Sequence, residues 1–162
     1  GQGFEEKRVY LPQLLMAAEA AKASFEKIKA RMSDEHTASK CPVVIATVHG
    51  DIHDIGKNIV RLLLENYGFE VIDLGKDVAP QEILDAVLRH HAPAAGLSAL
   101  MTTTVPAMQE TIAPLKEQAP WCKVVVGGAV LNQEYADRIG ADRYAKDAME
   151  TIRYADKVDG AR

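Results

Sequence analysis

From residue 43 onward, short apolar runs alternate five times with segments whose apolar residues fall at helical spacing. The first run, Val-Val-Ile-Ala-Thr-Val at 43–48, is β-branched and continuously apolar, as a parallel strand covered on both faces should be. Ile55, Ile59, Leu62, Leu63 and Tyr67 then recur in steps of three and four, and Gly68 suits the position just past a helix end. The same reading predicts strands at 69–74, 94–98, 123–126 and 143–145. It predicts helices at 80–91, where Pro80 sits in the first turn, and at 105–118, 131–139 and 147–157. Strands each followed by a helix imply an α/β fold, a flavodoxin-like doubly wound five-stranded parallel sheet of Rossmann-like type. Right-handed crossovers put helices on both of its faces, and the expected strand order is 2-1-3-4-5.

That order places the chemistry. Its switch point lies between the first and third strands, so the loop after the first strand, Gly-Asp-Ile-His-Asp-Ile-Gly-Lys-Asn at 50–58, faces the loop after the third. A metal-ligating imidazole usually donates its other ring N–H to a carboxylate, and Asp51, two residues before His53, can supply one. A hydroxyl on the facing loop, Thr104, would complete a relay. Gly50 and Gly56 leave room for a ligand to approach the backbone. Ser98 and the threonines that follow offer small residues and hydroxyls, and Gly127-Gly128-Ala129 exposes backbone at the end of the fourth strand. Blander roles stand beside these. His53 can cap the following helix or be an ordinary surface histidine, the glycine pair can simply end a strand, and Ser98 and the threonines can cap a helix, which is the role expected of Thr103. His49 and His53 are four apart, zinc-ligand spacing on a helix, but Gly50 and the strand end argue against a helix there. His36, His90 and His91 lie in polar contexts and are expected to be solvated.

The first forty residues follow another pattern. Leu11, Leu14, Ala18, Ala21, Phe25, Ile28 and Met32 form the seam of a helix in a bundle, with Pro12 able to start it. Such a seam needs partners, so the expectation is a piece of a longer polypeptide or a helix that packs on another subunit. The organisation expected is a helical segment at 1–32, a polar linker at 33–42 and the α/β domain at 43–162. A net charge of −4 without a basic run gives no footprint for nucleic acid or an anionic membrane surface. No apolar run reaches the roughly 18 residues of a spanning helix, and two distant cysteines suit a reducing cytoplasm. Gly-x-Gly-x-x-Gly and P-loop patterns are absent, which argues against nicotinamide chemistry and nucleotide hydrolysis.

Asp51-x-His53-x-x-Gly56, then Ser98-x-Leu100 about forty residues on, then Gly127-Gly128, resembles the cobalamin-binding signature of corrinoid proteins and cobalamin-dependent enzymes. The likeness is greatest to the cobalamin-binding module of methionine synthase in short forms, followed by the corrinoid proteins of methyltransferase systems. The resemblance implies that His53 replaces the cofactor's benzimidazole as the axial cobalt ligand, with Asp51 and Thr104 behind it. It implies that the displaced nucleotide tail runs beside Ser98 and under Gly127-Gly128, with Ala145 along it. Ser98, Leu100 and Thr102 would contact tail or corrin, as would Gly50, Ile52, Asp54 and Gly56 of the loop. Residues 4–32 look like the end of a helical-bundle cap, with Phe4, Leu11 and Leu14 covering the methyl face. His49 departs from the family, where lysine is frequent. A bulky residue at Gly127 or Gly128 is expected to block the tail while the fold survives.

The function so implied is that of a methyl carrier, cycling methyl-Co(III) and Co(I) between a methyltetrahydrofolate donor and homocysteine. The donor and acceptor domains would lie in the same or a partner polypeptide, beside a reductive reactivation partner. One alternative is the corrinoid protein of a methanol, methylamine or other methyltransferase system. Another, of a different class, is a cobalamin-dependent sensor or regulatory domain, and the plainest is a flavodoxin-like signalling domain without cofactor.

Overall fold

The computed structural model describes residues 40–161 together with residues 8, 10, 12, 13, 16, 17 and 20. The cap residues Phe4, Leu11 and Leu14, and nearly all of the proposed helical segment and linker, lie outside the described residues. In chain order the elements are β1 (Lys40–Thr47), α1 (Ile55–Asn66), β2 (Phe69–Asp73), α2 (Pro80–His90), β3 (Ala94–Ser98), α3 (Val105–Gln118), β4 (Lys123–Gly127), α4 (Gln133–Arg138), β5 (Arg143–Tyr144) and α5 (Ala148–Asp159). A short 3-10 turn, Thr102–Thr104, leads into α3. All strand pairs are parallel and the order is β2-β1-β3-β4-β5, the flavodoxin-like order expected.

Element boundaries depart from expectation by one to three residues, and two departures have a physical reason. β1 starts at Lys40 rather than Val43, so Lys40, Cys41 and Pro42 belong to the sheet and not to a linker. Cys41 is buried, and its backbone N–H donates to the Asp159 carboxylate of α5 at 2.9 Å. α4 is shorter than predicted because Asn132 caps it, its side chain accepting from Tyr135 N–H. Thr103 is exposed inside the 3-10 turn, and Thr104 holds the cap position of α3 without a side-chain capping bond, which corrects the role expected of Thr103.

The side chains of β1 alternate between two cores. Val44, Ala46 and Val48 pack with α2, α3 and α4, while Cys41, Val43 and Ile45 pack with Leu63 and Leu64 of α1 and Met149, Ile152 and Ala155 of α5. The same alternation makes the second face uneven. β3 sends Ala95 and Leu97 to the fuller core and presents Ala94, Gly96 and Ser98 to the other face, where β4 adds Val125 and Gly127. Small residues on neighbouring strands leave a cleft between α1 and α5 above a floor anchored by Ile45 and Leu63. Leu64 is wholly buried beneath it. Leu64→Ala should therefore cost about 2–5 kcal/mol of unfolding free energy, as measured by urea denaturation, whereas the exposed Ile55→Ala should change it by less than about 1 kcal/mol.

Candidate functional site

Asp51 is fully buried at the carboxyl end of β1, and its carboxylate is surrounded by donors. One oxygen, Oδ1, accepts the backbone N–H of His53 at 2.9 Å and lies 2.8 Å from His53 Nδ1. The other, Oδ2, accepts Leu100 N–H at 2.7 Å and more distantly Met101 N–H at 3.4 Å. Thr104 Oγ1 stands 3.0 Å from the same oxygen and donates equally well to the Met101 carbonyl at 2.8 Å. Burial alone would raise the Asp51 pKa, but the hydrogen bonds from the His53 and Leu100 amides, the imidazole and the Thr104 hydroxyl outweigh it. They hold the carboxyl well below the usual carboxylate range. An ionised Asp51 fixes the His53 proton on Nδ1, which leaves Nε2 with a lone pair. The imidazole is 45% exposed, so that lone pair is available to an incoming ligand.

Local sequence explains the loop. Gly50 takes a left-handed φ of +81°, and Asp51 N–H closes a turn onto the Val48 carbonyl. The buried hydroxyl of Thr47 reaches the His53 carbonyl at 3.4 Å. Asp54, not His53, holds the N-cap position of α1, where its carbonyl accepts Asn58 N–H at 2.8 Å and its side chain makes no capping bond. Around the imidazole Ile52, Ile55 and Leu100 are exposed at 63%, 79% and 40%, forming an apolar rim that suits a large flat hydrophobic molecule rather than water.

The second part of the site is the cleft, with a volume of about 580 Å³. Ser98, Gly127, Gly128 and the buried Ala145, which the family resemblance puts beside the tail, all line it, and Gly56 of the loop lines it with them. Gly128 has a φ of +146°, and a Cβ there would lie 1.7 Å from the Ala99 carbonyl oxygen, so the backbones of the third and fourth strand ends touch. This corrects the expectation that the fold tolerates a bulky residue at both glycines. At Gly127 a Cβ meets only the Ala145 carbonyl oxygen at 3.4 Å, and a larger side chain is accommodated at the expense of the cleft. Thr102 is exposed at the start of its turn and lies outside the cleft lining.

Several lining residues were not identified from sequence. Ile59 and Val60 extend the wall from Gly56 along one face of α1, Gly96 deepens the floor, and Tyr144, Asp147 and Thr151 close the α5 side. The run of small residues at alternate positions of β3 was the available signal for Gly96. Lys57 is a buried cation in the same wall, with Nζ donating to Asp73 Oδ1 at 2.6 Å and to Asn58 Oδ1 at 3.1 Å. Asp73 also accepts Gly75 N–H at 2.9 Å, which ties α1 to the end of β2.

The arrangement fits cobalamin on its own geometry. Among the described residues no cluster of three or more His, Cys, Asp or Glu side chains could hold a bare ion. A single presented imidazole is what a metal already held in a macrocycle requires, and the adjacent cleft can take an elongated appendage. Among the described residues no helix is long and apolar enough to cross a membrane.

Comparison with known proteins agrees. Residues 42–153 match the B12 binding domain family. The chain is 42% identical over 161 residues to dimethylamine corrinoid protein 3 of Methanosarcina mazei, spanning 98% of this chain and 96% of that protein. Its fold is similar to the methanol:cobalamin methyltransferase complex of Methanosarcina barkeri, with a TM-score of 0.88 and 33% identity over 99% of this chain and 62% of that one. It is also similar to a cobalamin-binding protein from Desulfitobacterium hafniense, with a TM-score of 0.83 and 34% identity over 98% and 75% of the two chains. Methionine synthase is not among these relatives, and the likeness to methylamine and methanol proteins favours the alternative reading of the sequence. The chain belongs to the B12 binding domain family, and its cofactor is cobalamin.

Proposed function

We propose that this chain is the corrinoid protein of a methylamine or methanol methyltransferase system, a methyl carrier rather than a module of methionine synthase. The observation that carries this reading is identity of about two residues in five along nearly the whole chain to a dimethylamine corrinoid protein, joined to a site with a single presented imidazole. When bound, cobalamin supplies a cobalt centre that takes a methyl group from a donor and passes it to an acceptor. The partners so implied are a substrate-specific methyltransferase, an acceptor methyltransferase and a reductive reactivation protein. Mixing the reduced, cobalamin-loaded protein with a dimethylamine or methanol methyltransferase and its substrate should produce the absorbance change of methyl transfer. Transfer from methyltetrahydrofolate in the presence of methionine synthase domains, with none from the amine or methanol systems, would overturn the reading.

The residues divide the work. His53 Nε2 would hold the cobalt when cobalamin is bound, and Asp51, beside Nδ1, would raise the donor strength of that nitrogen. Thr104 supplies what a relay needs, because its one proton has a second acceptor in Met101 O. When a proton arrives on Asp51, the Thr104 hydroxyl can turn toward Met101 and accept from the acid. Ile52, Ile55 and Leu100, exposed near the imidazole, would shield the ligand bond from water, while Ser98, Gly127 and Ala145 would receive the nucleotide tail in the cleft they line. Phe4, Leu11 and Leu14 are proposed to cover the methyl face.

Three outcomes follow for the loaded and unloaded protein. Electron paramagnetic resonance of the Co(II) form should show nitrogen coupling that changes when histidine is isotopically labelled and disappears in His53→Gly, with cobalamin still bound; coupling from the cofactor's own base in the wild type would refute ligation by His53. Gly127→Leu should abolish cobalamin uptake in titrations while its circular dichroism remains native, and retention equal to wild type would move the tail elsewhere.

The third concerns Asp51. Its folded-state pKa is depressed, so its stabilising contribution is complete above the unfolded value of about 3.9 and is lost as pH falls from there toward the folded value. Apo wild type should therefore lose urea stability more steeply than Asp51→Asn below about pH 5. At neutral pH the variant, with an amide that can turn a donor toward Leu100 N–H, should be less stable by about 1–3 kcal/mol. Parallel stability curves in acid would remove the charge of Asp51 from the account.

A further inference from the structure

His53 is held from the β3 side by the groups around the Asp51 carboxylate, but the loop has a second anchor on the opposite side, in the connection after β2. Asp77 there adopts a left-handed backbone with φ of +54°, a conformation that a non-glycine residue keeps only where its surroundings require it. Its neighbours explain the requirement. Asp77 N–H donates to the Asp51 carbonyl at 3.0 Å, and its carboxylate Oδ1 accepts Gly50 N–H at 2.7 Å. The same Oδ1 lies 2.9 Å from His49 Nδ1. One residue thus contacts three consecutive residues at the base of the His53 loop. Next to it Val78 N–H donates to the Thr47 carbonyl at 3.1 Å, and Val78 forms an isolated parallel bridge with Val48, which aligns the two connections.

We propose that Asp77 is a positioning residue for the cobalt ligand. It sets the height and tilt of the loop by gripping Gly50 and the Asp51 carbonyl from the β2 side while Leu100 and Thr104 grip the Asp51 carboxylate from the β3 side. This rests on His53 being the axial ligand, as proposed above. The physical demand is strict, since a metal–nitrogen bond tolerates displacements of only a few tenths of an ångström, and losing a group that orients a ligand commonly reduces metal affinity by about ten- to a hundredfold. Asp77 touches neither the imidazole nor the cleft lining in this structure, so its effect must pass through the loop backbone. His49 fits the same scheme as the outer partner of the Asp77 carboxylate.

The test compares Asp77→Gly, which permits the left-handed backbone and removes the carboxylate, with Asp77→Asn, which keeps a side-chain oxygen for Gly50 N–H and tolerates the same backbone. In the apo protein, amide hydrogen exchange at Gly50 and His53 should accelerate by about tenfold in Asp77→Gly and remain near wild type in Asp77→Asn. In the cobalamin-loaded protein, the fraction of Co(II) with histidine nitrogen coupling should fall several-fold in Asp77→Gly and recover in Asp77→Asn, while the total cobalamin bound is unchanged. Unchanged exchange at His53, or an unchanged coupled fraction in Asp77→Gly, would overturn the proposal. Absence of histidine coupling in the wild type would instead refute ligation by His53, and the exchange comparison would still decide whether Asp77 holds the loop.

Discussion

The Asp51 carboxylate is the interaction through which the two halves of the switch point become one site. Buried as a lone charge it would be costly, and it is stable because the β1 loop and the β3 loop both direct N–H and O–H groups at it. Each of those bonds has a structural consequence. The amide of His53 bends the loop back on itself, the imidazole Nδ1 fixes the ring and its tautomer, and Leu100 N–H locks the neighbouring strand end against it. The same charge that orders the loop makes His53 Nε2 a better donor. The fold of the loop and the donor strength of the imidazole therefore draw on one carboxylate.

The cleft follows from a different constraint, the two-residue period of the strands. Leu97, Val124 and Val126 help fill the face of β3 and β4 that meets α3, whereas on the other face Gly96, Ser98 and Gly127, with Val125 the larger side chain among them, leave the space between α1 and α5 open. The contact of Gly128 with the Ala99 carbonyl holds the mouth of the cleft to the third strand. Lys57, itself buried in the wall of the groove, is paired with Asp73 and Asn58. Ligand loop and cleft thus lie on adjoining parts of the strand ends, with Gly56 marking the passage from one to the other.

The relation to methylamine and methanol proteins changes the expected partners more than the expected chemistry. A presented imidazole, a carboxylate behind it and an adjoining cleft carry no mark of the methyl donor, so the motif residues alone do not distinguish methionine synthase from a methylamine system. Identity spread over 98% of the chain does bear on that choice, because surfaces that meet partner proteins lie outside the motif.

Much of this was legible in the chain itself. Strand order and helix placement follow from local periodicity, a property of residues near in sequence, and the rule that parallel α/β sheets bind ligands at a switch point brings the loops of Asp51, His53 and Thr104 to face each other. Ser98, Gly127 and Ala145, singled out through the family resemblance, stand together in the lining of one cleft. Tertiary structure alone decided contacts between residues far apart: Leu100 N–H on Asp51, Asp77 on Gly50, and the enclosure of Ile59, Val60, Gly96 and Thr151 in a single cleft. It also separated Gly127 from Gly128, identical in sequence, because only the packing of β4 against the end of β3 brings the Ala99 carbonyl onto the second glycine. Periodicity assigns a side chain to a face, and the partner it meets across that face is set by how neighbouring strands and helices come together in space.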